Sequence, residues 1–79
     1  MTATIGDRLR LKQQLPYLKT ADPMPMLRPS DLVSLDEVGE VVAIHPLDTV
    51  AVRFRRGTFL ISLDQLKAVS QDDVDDVTH

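Results

Sequence analysis

The sequence predicts a small all-β domain, and three observations support this prediction. Within residues 7–12 (DRLRLK), leucines at positions 9 and 11 alternate with basic residues at positions 8, 10 and 12, which is typical of a half-buried strand. Residues 49–63 (TVAVRFRRGTFLISL) form a longer alternating stretch interrupted by a glycine, which is typical of a β-hairpin. No apolar repeat of helical period is sustained anywhere. Because the chain has only 79 residues, it has room for a single core.

The first two strands follow from this pattern. The first strand is expected over residues 7–12, where Leu9 and Leu11 face the core and the basic side chains face away. The second strand is expected over residues 40–44 (EVVAI), whose apolar residues on both faces suit a strand that bends between two layers of a small barrel. It ends before Pro46, because proline lacks an N–H group and restricts the residue before it.

Residues 49–63 predict a hairpin with a two-residue loop at Arg56-Gly57, since glycine tolerates positive φ. In this register Phe54 lies opposite Phe59 on the apolar side. A shift of one residue would place arginines opposite these rings, so the hydrophobic pattern decides which side chains face the core. The same register gives two further apolar pairs, Val52 with Ile61 and Val50 with Leu63.

A 3-10 turn at residues 64–66 and a short last strand at residues 67–69 complete the prediction. Five short strands in this order, with a long loop after the first and a 3-10 turn before the last, are typical of a small SH3-like barrel. An OB-type barrel is the alternative, although its strands are usually longer and it carries a helix that the sequence does not predict. We expect the barrel at residues 6–69, a flexible N-terminus at residues 1–5, and an acidic disordered tail at residues 70–79.

The long loop after the first strand, residues 15–40, contains four of the five prolines. Its central segment, residues 22–29 (DPMPMLRP), is expected to run partly as polyproline II, because proline fixes φ. Such stiffness lowers the entropy lost when a partner orders the segment. Methionine adapts to irregular surfaces, and arginine can bind a carboxylate through two hydrogen bonds. We therefore expect partner contacts from Met24, Met26 and Arg28.

Composition and charge exclude several classes of function. The formal net charge is −3, but four acids lie in the last ten residues, so the rest of the chain holds nine basic and eight acidic residues. There is no cysteine, which excludes disulfides and thiolate metal sites, and the two histidines, His45 and His79, lie far apart in the sequence. No apolar run is long enough to span a membrane. We expect a cytoplasmic monomer with no enzymatic activity, cofactor, metal or membrane insertion.

Three segments of the chain resemble a known family. The segment from Lys19 to Pro29 (KTADPMPMLRP) resembles the signature loop of the SipA family of small cyanobacterial regulators. Residues 6–11 resemble its first strand, and residues 52–60 its central hairpin. The resemblance covers residues 6–69 and implies an SH3-like barrel. It also implies binding to the ATP-binding catalytic domain of an NblS-type sensor histidine kinase, stimulation of its autophosphorylation in stress and light signalling, and contact with the associated response regulator.

The leading hypothesis is therefore a non-enzymatic kinase-binding adaptor. Its methionines and tyrosine would be apolar anchors, and its cations would meet acidic groups of the kinase. The expected contact residues are Tyr17, Lys19, Met24, Met26, Arg28, Arg53 and Arg55.

Two alternatives stay open. One is nucleic-acid binding by the basic strand faces, which the negative net charge and the aromatic content of only 4% disfavour. The other is a scaffold subunit of a photosynthetic redox complex, since similar barrels serve ferredoxin-handling enzymes.

Overall fold

The computed structural model describes residues 3–69, and these residues form seven antiparallel strands and two 3-10 turns. The strands are β1 (Arg8–Leu11), β2 (Leu18–Thr20), β3 (Leu27–Arg28), β4 (Gly39–His45), β5 (Thr49–Phe54), β6 (Gly57–Ser62) and β7 (Leu66–Ala68). The 3-10 turns are η1 (Ser30–Leu32) and η2 (Leu63–Gln65). All seven strands belong to one sheet in the order β3-β2-β6-β5-β4-β1-β7, and this sheet does not close on itself.

The predicted all-β class is confirmed, whereas the five-stranded SH3-like barrel is not. The five predicted strands are consecutive neighbours in the sheet, and η2 precedes the last of them as expected. The correction concerns the segment predicted as a long loop, which contributes β2 and β3. These strands form a hairpin that joins the sheet through β6, where Lys19 pairs with Leu60 and Thr20 with Phe59.

Proline placement explains why a hairpin forms in this segment. Proline cannot donate to a strand ladder, and all four prolines of the segment lie outside its two strands, at positions 16, 23, 25 and 29. The stretches between the prolines are short, but their residues have the main-chain N–H groups that strand pairing needs. Pro29, just before η1, has φ −59° and ψ 140°, the polyproline II values expected for part of this segment.

The β5–β6 hairpin corrects the predicted register by two residues. Phe54 lies opposite Gly57, so the loop is residues 55–56 rather than residues 56–57. A two-residue shift keeps every side chain on its predicted face, and Phe54 and Phe59 are both buried, with ring centroids 6.5 Å apart. The other two predicted pairs are displaced in the same way: Val52 lies opposite Phe59, and Val50 lies opposite Ile61.

Strand β4 carries the bend expected from its two apolar faces. Its register with β5 shifts between Val41 and Ala43, and such a bulge bends a strand. Gly39, at the start of the strand, is buried against β5, so closely that an added Cβ would lie 2.5 Å from Val52 Cγ1. These features let β4 curve around the core, and its first residues pair with β1.

The core lies on one face of the sheet and draws on every strand except β3. The segment before β4 contributes Val33, which follows η1 and is fully buried. The buried cluster comprises Leu9, Leu11, Leu18, Val33, Val41, Val50, Val52, Phe54, Phe59, Ile61, Leu63 and Leu66. On the opposite face Ala51 is also buried, whereas Arg53 is exposed, so that face is covered only in part.

The predicted acidic tail, residues 70–79, lies outside the described residues, as do residues 1–2 of the predicted N-terminus. In the described part of the predicted N-terminus, residues 3–5, Ala3 packs against the core and the Thr4 N–H donates to Asp7 Oδ2 at 2.8 Å. Within residues 3–69, no helix has the length and apolar character needed to cross a bilayer.

Candidate protein-binding site

The segment at residues 21–26 (ADPMPM), which we call the Pro/Met tip, connects β2 to β3. Thr20 holds its base, because the Thr20 N–H donates to the Met26 carbonyl at 2.9 Å and the Met26 N–H donates to Thr20 Oγ1 at 2.8 Å. The Ala21 N–H donates to the Thr58 carbonyl at 3.1 Å, which attaches the tip to β6. The tip is therefore anchored on both sides of its base.

The methionines of the anchored tip point into solvent. Met24 is 84% exposed and Met26 is 58% exposed, and Leu27, the first residue of β3, is 63% exposed. Single exposed apolar side chains are common, but several together mark an interaction surface. Arg28, also predicted as a contact residue, is exposed beside them on the edge strand β3. The tip therefore has the exposure that a contact site requires.

Tyr17 and Lys19 belong to a different surface, a cleft of about 410 Å³ that we call the Tyr17 cleft. Both side chains are exposed, Tyr17 by 53%. The segment before β2 forms one wall and β6 forms the other, through Leu60 and Ser62. Sequence reasoning placed both residues in the predicted site, but the cleft that they line was not foreseen.

One signal could have pointed to this cleft. The hairpin pattern places Leu60 on the polar side of β6, opposite the core residues. A leucine at such a position, half-buried and away from the core, shows that something else covers or uses that face. In the structure Leu60 lines the cleft together with Leu15, Pro16 and Tyr17.

The two predicted arginines of the hairpin are engaged in the fold. Arg53 Nη2 lies 2.7 Å from Glu40 Oε1 across β4 and β5, and both side chains are well exposed. The N–H of Arg55 donates to Glu37 Oε2 at 2.7 Å. The charge of Arg53 therefore already has a partner, whereas the side chain of Arg55 is exposed in the β5–β6 turn.

The structure thus divides the predicted site into three parts. Met24, Met26 and Arg28 lie together at the β2–β3 hairpin, while Tyr17 and Lys19 line the Tyr17 cleft. The arginines lie at the β5–β6 end of the sheet. Since the first residue of the tip bonds to the second residue of β6, the tip and the β5–β6 turn share one end of the sheet. The role of all seven residues in binding stays a prediction.

These observations define a class, a small antiparallel β-sheet protein with an anchored, exposed apolar hairpin tip. The chain belongs to the CRR42-like family, since residues 5–66 match the family model described as Protein CHLORORESPIRATORY REDUCTION 42-like. It is 36% identical over 72 residues to "Protein CHLORORESPIRATORY REDUCTION 42, chloroplastic" of Arabidopsis thaliana. That alignment covers 90% of this chain but only 60% of the relative. No solved structure matches the chain.

The SipA assignment is therefore wrong. The Pro/Met segment that suggested it lies inside residues 5–66, so it is part of the CRR42-like match. A short motif rich in proline and methionine is not specific for one family, whereas the match along residues 5–66 identifies the CRR42-like family. The NblS-type kinase, its response regulator and the stimulation of autophosphorylation lose their support with that assignment.

Proposed function

We propose that this chain is a non-enzymatic scaffold subunit that binds a photosynthetic redox complex through its Pro/Met tip. The observation that carries the proposal is the 36% identity to a chloroplastic protein whose name refers to chlororespiratory reduction. Because the chain covers 60% of that relative, the activity and partners of the whole relative are not transferred to it. In this proposal the partner performs the redox chemistry, and the chain contributes binding surface.

The tip suits this role because its base is held while its side chains are free. Two hydrogen bonds join Thr20 to Met26, and one joins Ala21 to Thr58. A segment that is already ordered loses less entropy on binding. Methionines fill irregular partner surfaces well, which suits a flat or uneven face of a large complex.

The basic residues near the tip suit an acidic partner surface. Arg28 is exposed on β3, and Arg55 is exposed in the turn at the same end of the sheet. Such charges mainly accelerate encounter and set orientation. A monomeric state and a cytoplasmic location are part of the proposal; the chloroplast is the location named for the Arabidopsis relative.

The proposal is tested by affinity capture of the tagged chain from a native lysate of its host, with the bound proteins identified by mass spectrometry. The variant is Met24→Ser/Met26→Ser, which removes the apolar anchors. The matched control is Leu47→Ser, since Leu47 is 93% exposed but lies in the β4–β5 turn, away from the tip.

We expect the wild type and the control to enrich subunits of a redox complex, and the double methionine variant to lose them. Enrichment of a sensor kinase or of nucleic-acid proteins in place of redox subunits overturns the proposed function. Equal capture by the methionine variant and the wild type overturns the role of the tip.

A further inference from the structure

The Tyr17 cleft opens where β2 stops covering β6. Strand β2 pairs with β6 only through Lys19 and Thr20, and the chain before Leu18 leaves the ladder. The remaining length of β6, up to Ser62, still pairs with β5 on its other side. The cleft is therefore an interruption in the sheet, next to a strand that continues past it.

The backbone of β6 is oriented toward this opening. Along an antiparallel strand, the main-chain groups of successive residues point to alternate sides. The Thr58 carbonyl points toward β2, since it accepts a hydrogen bond from the Ala21 N–H. Leu60 and Ser62 point the same way by this alternation, and Ser62 lies beyond the end of β2. Leu60 already pairs with Lys19, so the main-chain groups of Ser62 are the ones that an extended peptide laid in the cleft can pair with.

The side chains around the opening combine apolar surface with one positive charge. The strand registers align Leu27, Lys19 and Leu60 in a single row across β3, β2 and β6. Leu27 is 63% exposed on one side of Lys19, and Leu60 lies on the other side. Tyr17 stands over the same cleft, and aromatic side chains of this kind anchor protein interfaces.

Among the residues that the structure describes, Lys19 supplies the only charge of the cleft wall. Within residues 3–69, its ammonium has no carboxylate within 4.0 Å. A bound peptide with a carboxylate would form an ion pair with Lys19, and a basic peptide would be repelled.

We infer that the Tyr17 cleft binds an extended segment of a partner protein in which an apolar residue and an acidic residue stand two positions apart, so that both face the cleft. The segment adds a short strand beside the end of β6, places an apolar side chain between Tyr17 and Leu60, and sets a carboxylate on Lys19 Nζ. This mode is β-strand addition, in which backbone pairing gives affinity and side-chain pockets give specificity. The inference rests on the proposed function as a protein-binding subunit, and it adds a second contact beside the Pro/Met tip.

The test uses the full chain labelled with nitrogen-15 and two synthetic octapeptides. One peptide repeats the block Leu-Thr-Asp-Thr and the other repeats the block Leu-Thr-Lys-Thr, so that leucine and the charged residue share one face of the extended chain. Each is titrated to about 1 mM while amide chemical shifts are followed. We expect the acidic peptide to shift the amides of Tyr17, Lys19 and Ser62 in a saturable way, and the basic peptide to leave them unchanged.

Two variants and one control locate the binding. Lys19→Glu should weaken the acidic peptide by about fivefold and admit the basic one, as expected for one exposed charge pair. Lys12→Glu is the matched control, since Lys12 is also an exposed lysine but does not line the cleft, and it should leave the preference unchanged. Leu60→Thr, which keeps a good strand former, should weaken the acidic peptide without changing the charge preference.

Shifts confined to other surfaces, the absence of saturable shifts, or equal effects of Lys19→Glu and Lys12→Glu overturn the inference. These outcomes are independent of the capture experiment. Capture of a redox complex without peptide binding removes the cleft site and leaves the proposed function. Peptide binding without such capture removes the redox partner and leaves the cleft as a peptide site.

Discussion

The carboxylate of Glu37 accepts a hydrogen bond from the main-chain N–H of Arg55, with 2.7 Å between Oε2 and the nitrogen. This bond joins the segment before β4 to the β5–β6 turn, eighteen positions away in the sequence. A carboxylate is a stronger acceptor than a neutral group. Since the turn lies at the same end of the sheet as the Pro/Met tip, Glu37 helps to fix the frame that carries the tip.

Replacing Glu37 with alanine should therefore destabilise the fold. We expect a loss of about 1–2 kcal/mol in the free energy of unfolding, because the Arg55 N–H loses a charged acceptor. Urea denaturation measures the loss, and amide hydrogen exchange at Arg55 localises it. Asp36→Ala, which removes an exposed neighbouring carboxylate, serves as the control. Equal urea midpoints for the two variants would show that this bond does not stabilise the turn.

The hairpin illustrates how far the sequence pattern can be used. Alternation with period two assigns each side chain to a face, so Phe54 and Phe59 were correctly placed in the core. The same alternation cannot distinguish registers that differ by two residues. The register depends on the loop, where Gly57 adopts φ 149° as the first residue of β6 and Glu37 binds the turn. That second contact is remote in the sequence and has no local signal.

The segment before β4 shows a second limit. Its prolines correctly excluded a helix and a long central strand. They did not exclude strands of two or three residues between them, which pair because β6 offers an open side. Met24 and Met26 are exposed, as partner contacts predicted from the sequence need to be. Leu60 on the polar side of β6 indicates that this face is used, but the position of the Tyr17 cleft depends on where β2 leaves β6, which has no local signal in the sequence.

The ion pair between Arg53 and Glu40 should contribute little to stability. Its side chains are 62% and 45% exposed, so water screens the charges although the atoms are 2.7 Å apart. A double-mutant cycle with Arg53→Ala and Glu40→Ala should give a coupling of about 0.2–1 kcal/mol. The coupling should fall further in 1 M salt. A larger coupling that persists in salt would show that the pair is shielded by neighbouring groups.

Gly39 should not tolerate a side chain. An added Cβ would lie 2.5 Å from Val52 Cγ1 and 2.7 Å from Phe54 Cε1, both within the core. Gly39→Ala should cost about 1–3 kcal/mol of unfolding free energy through overpacking. Gly39→Ala should cost less when it is made in the Val52→Ala protein than in the wild type, because the smaller side chain makes room for the added methyl group.

Gly6→Ala is the control for the Gly39 experiment. An added Cβ at Gly6 meets nothing within 4 Å, but its φ of +99° is unfavourable for alanine. Its cost should be conformational, and Val52→Ala should not reduce it. If Val52→Ala compensates both glycine variants equally, the close contact is not the cause of the Gly39 effect.

Replacing Leu47 should stabilise the protein. Leu47 has φ 63° in the β4–β5 turn and is 93% exposed, so it carries backbone strain and buries little surface. Asparagine accepts this conformation more readily. Leu47→Asn should raise the unfolding free energy by about 0.5–1 kcal/mol, measured in urea. Ile44→Asn, on the adjoining strand, should lower the unfolding free energy. If both variants lower the unfolding free energy, the exposed side chain of Leu47 makes stabilising contacts.

The hydroxyl of Thr20 should decide whether the Pro/Met tip can bind. It accepts the Met26 N–H at 2.8 Å, while the Thr20 N–H donates to the Met26 carbonyl. Thr20→Val keeps the shape of the side chain but removes the acceptor, so the Met26 amide should exchange faster. Because the tip is exposed, we expect global stability to change by less than about 1 kcal/mol. Capture of the proposed redox partner should nevertheless weaken, since the methionines are no longer held in place.

Thr20→Ser separates the hydrogen bond from the methyl group, because serine keeps the acceptor. Exchange at Met26 and capture should both stay near wild type in that variant. If Thr20→Val accelerates exchange yet captures as well as the wild type, the order of the tip is irrelevant to binding, and its methionines act without preorganisation. If Thr20→Ser loses capture while its Met26 amide stays protected, the methyl group rather than the hydrogen bond matters, and the tip must be packed by its side chains.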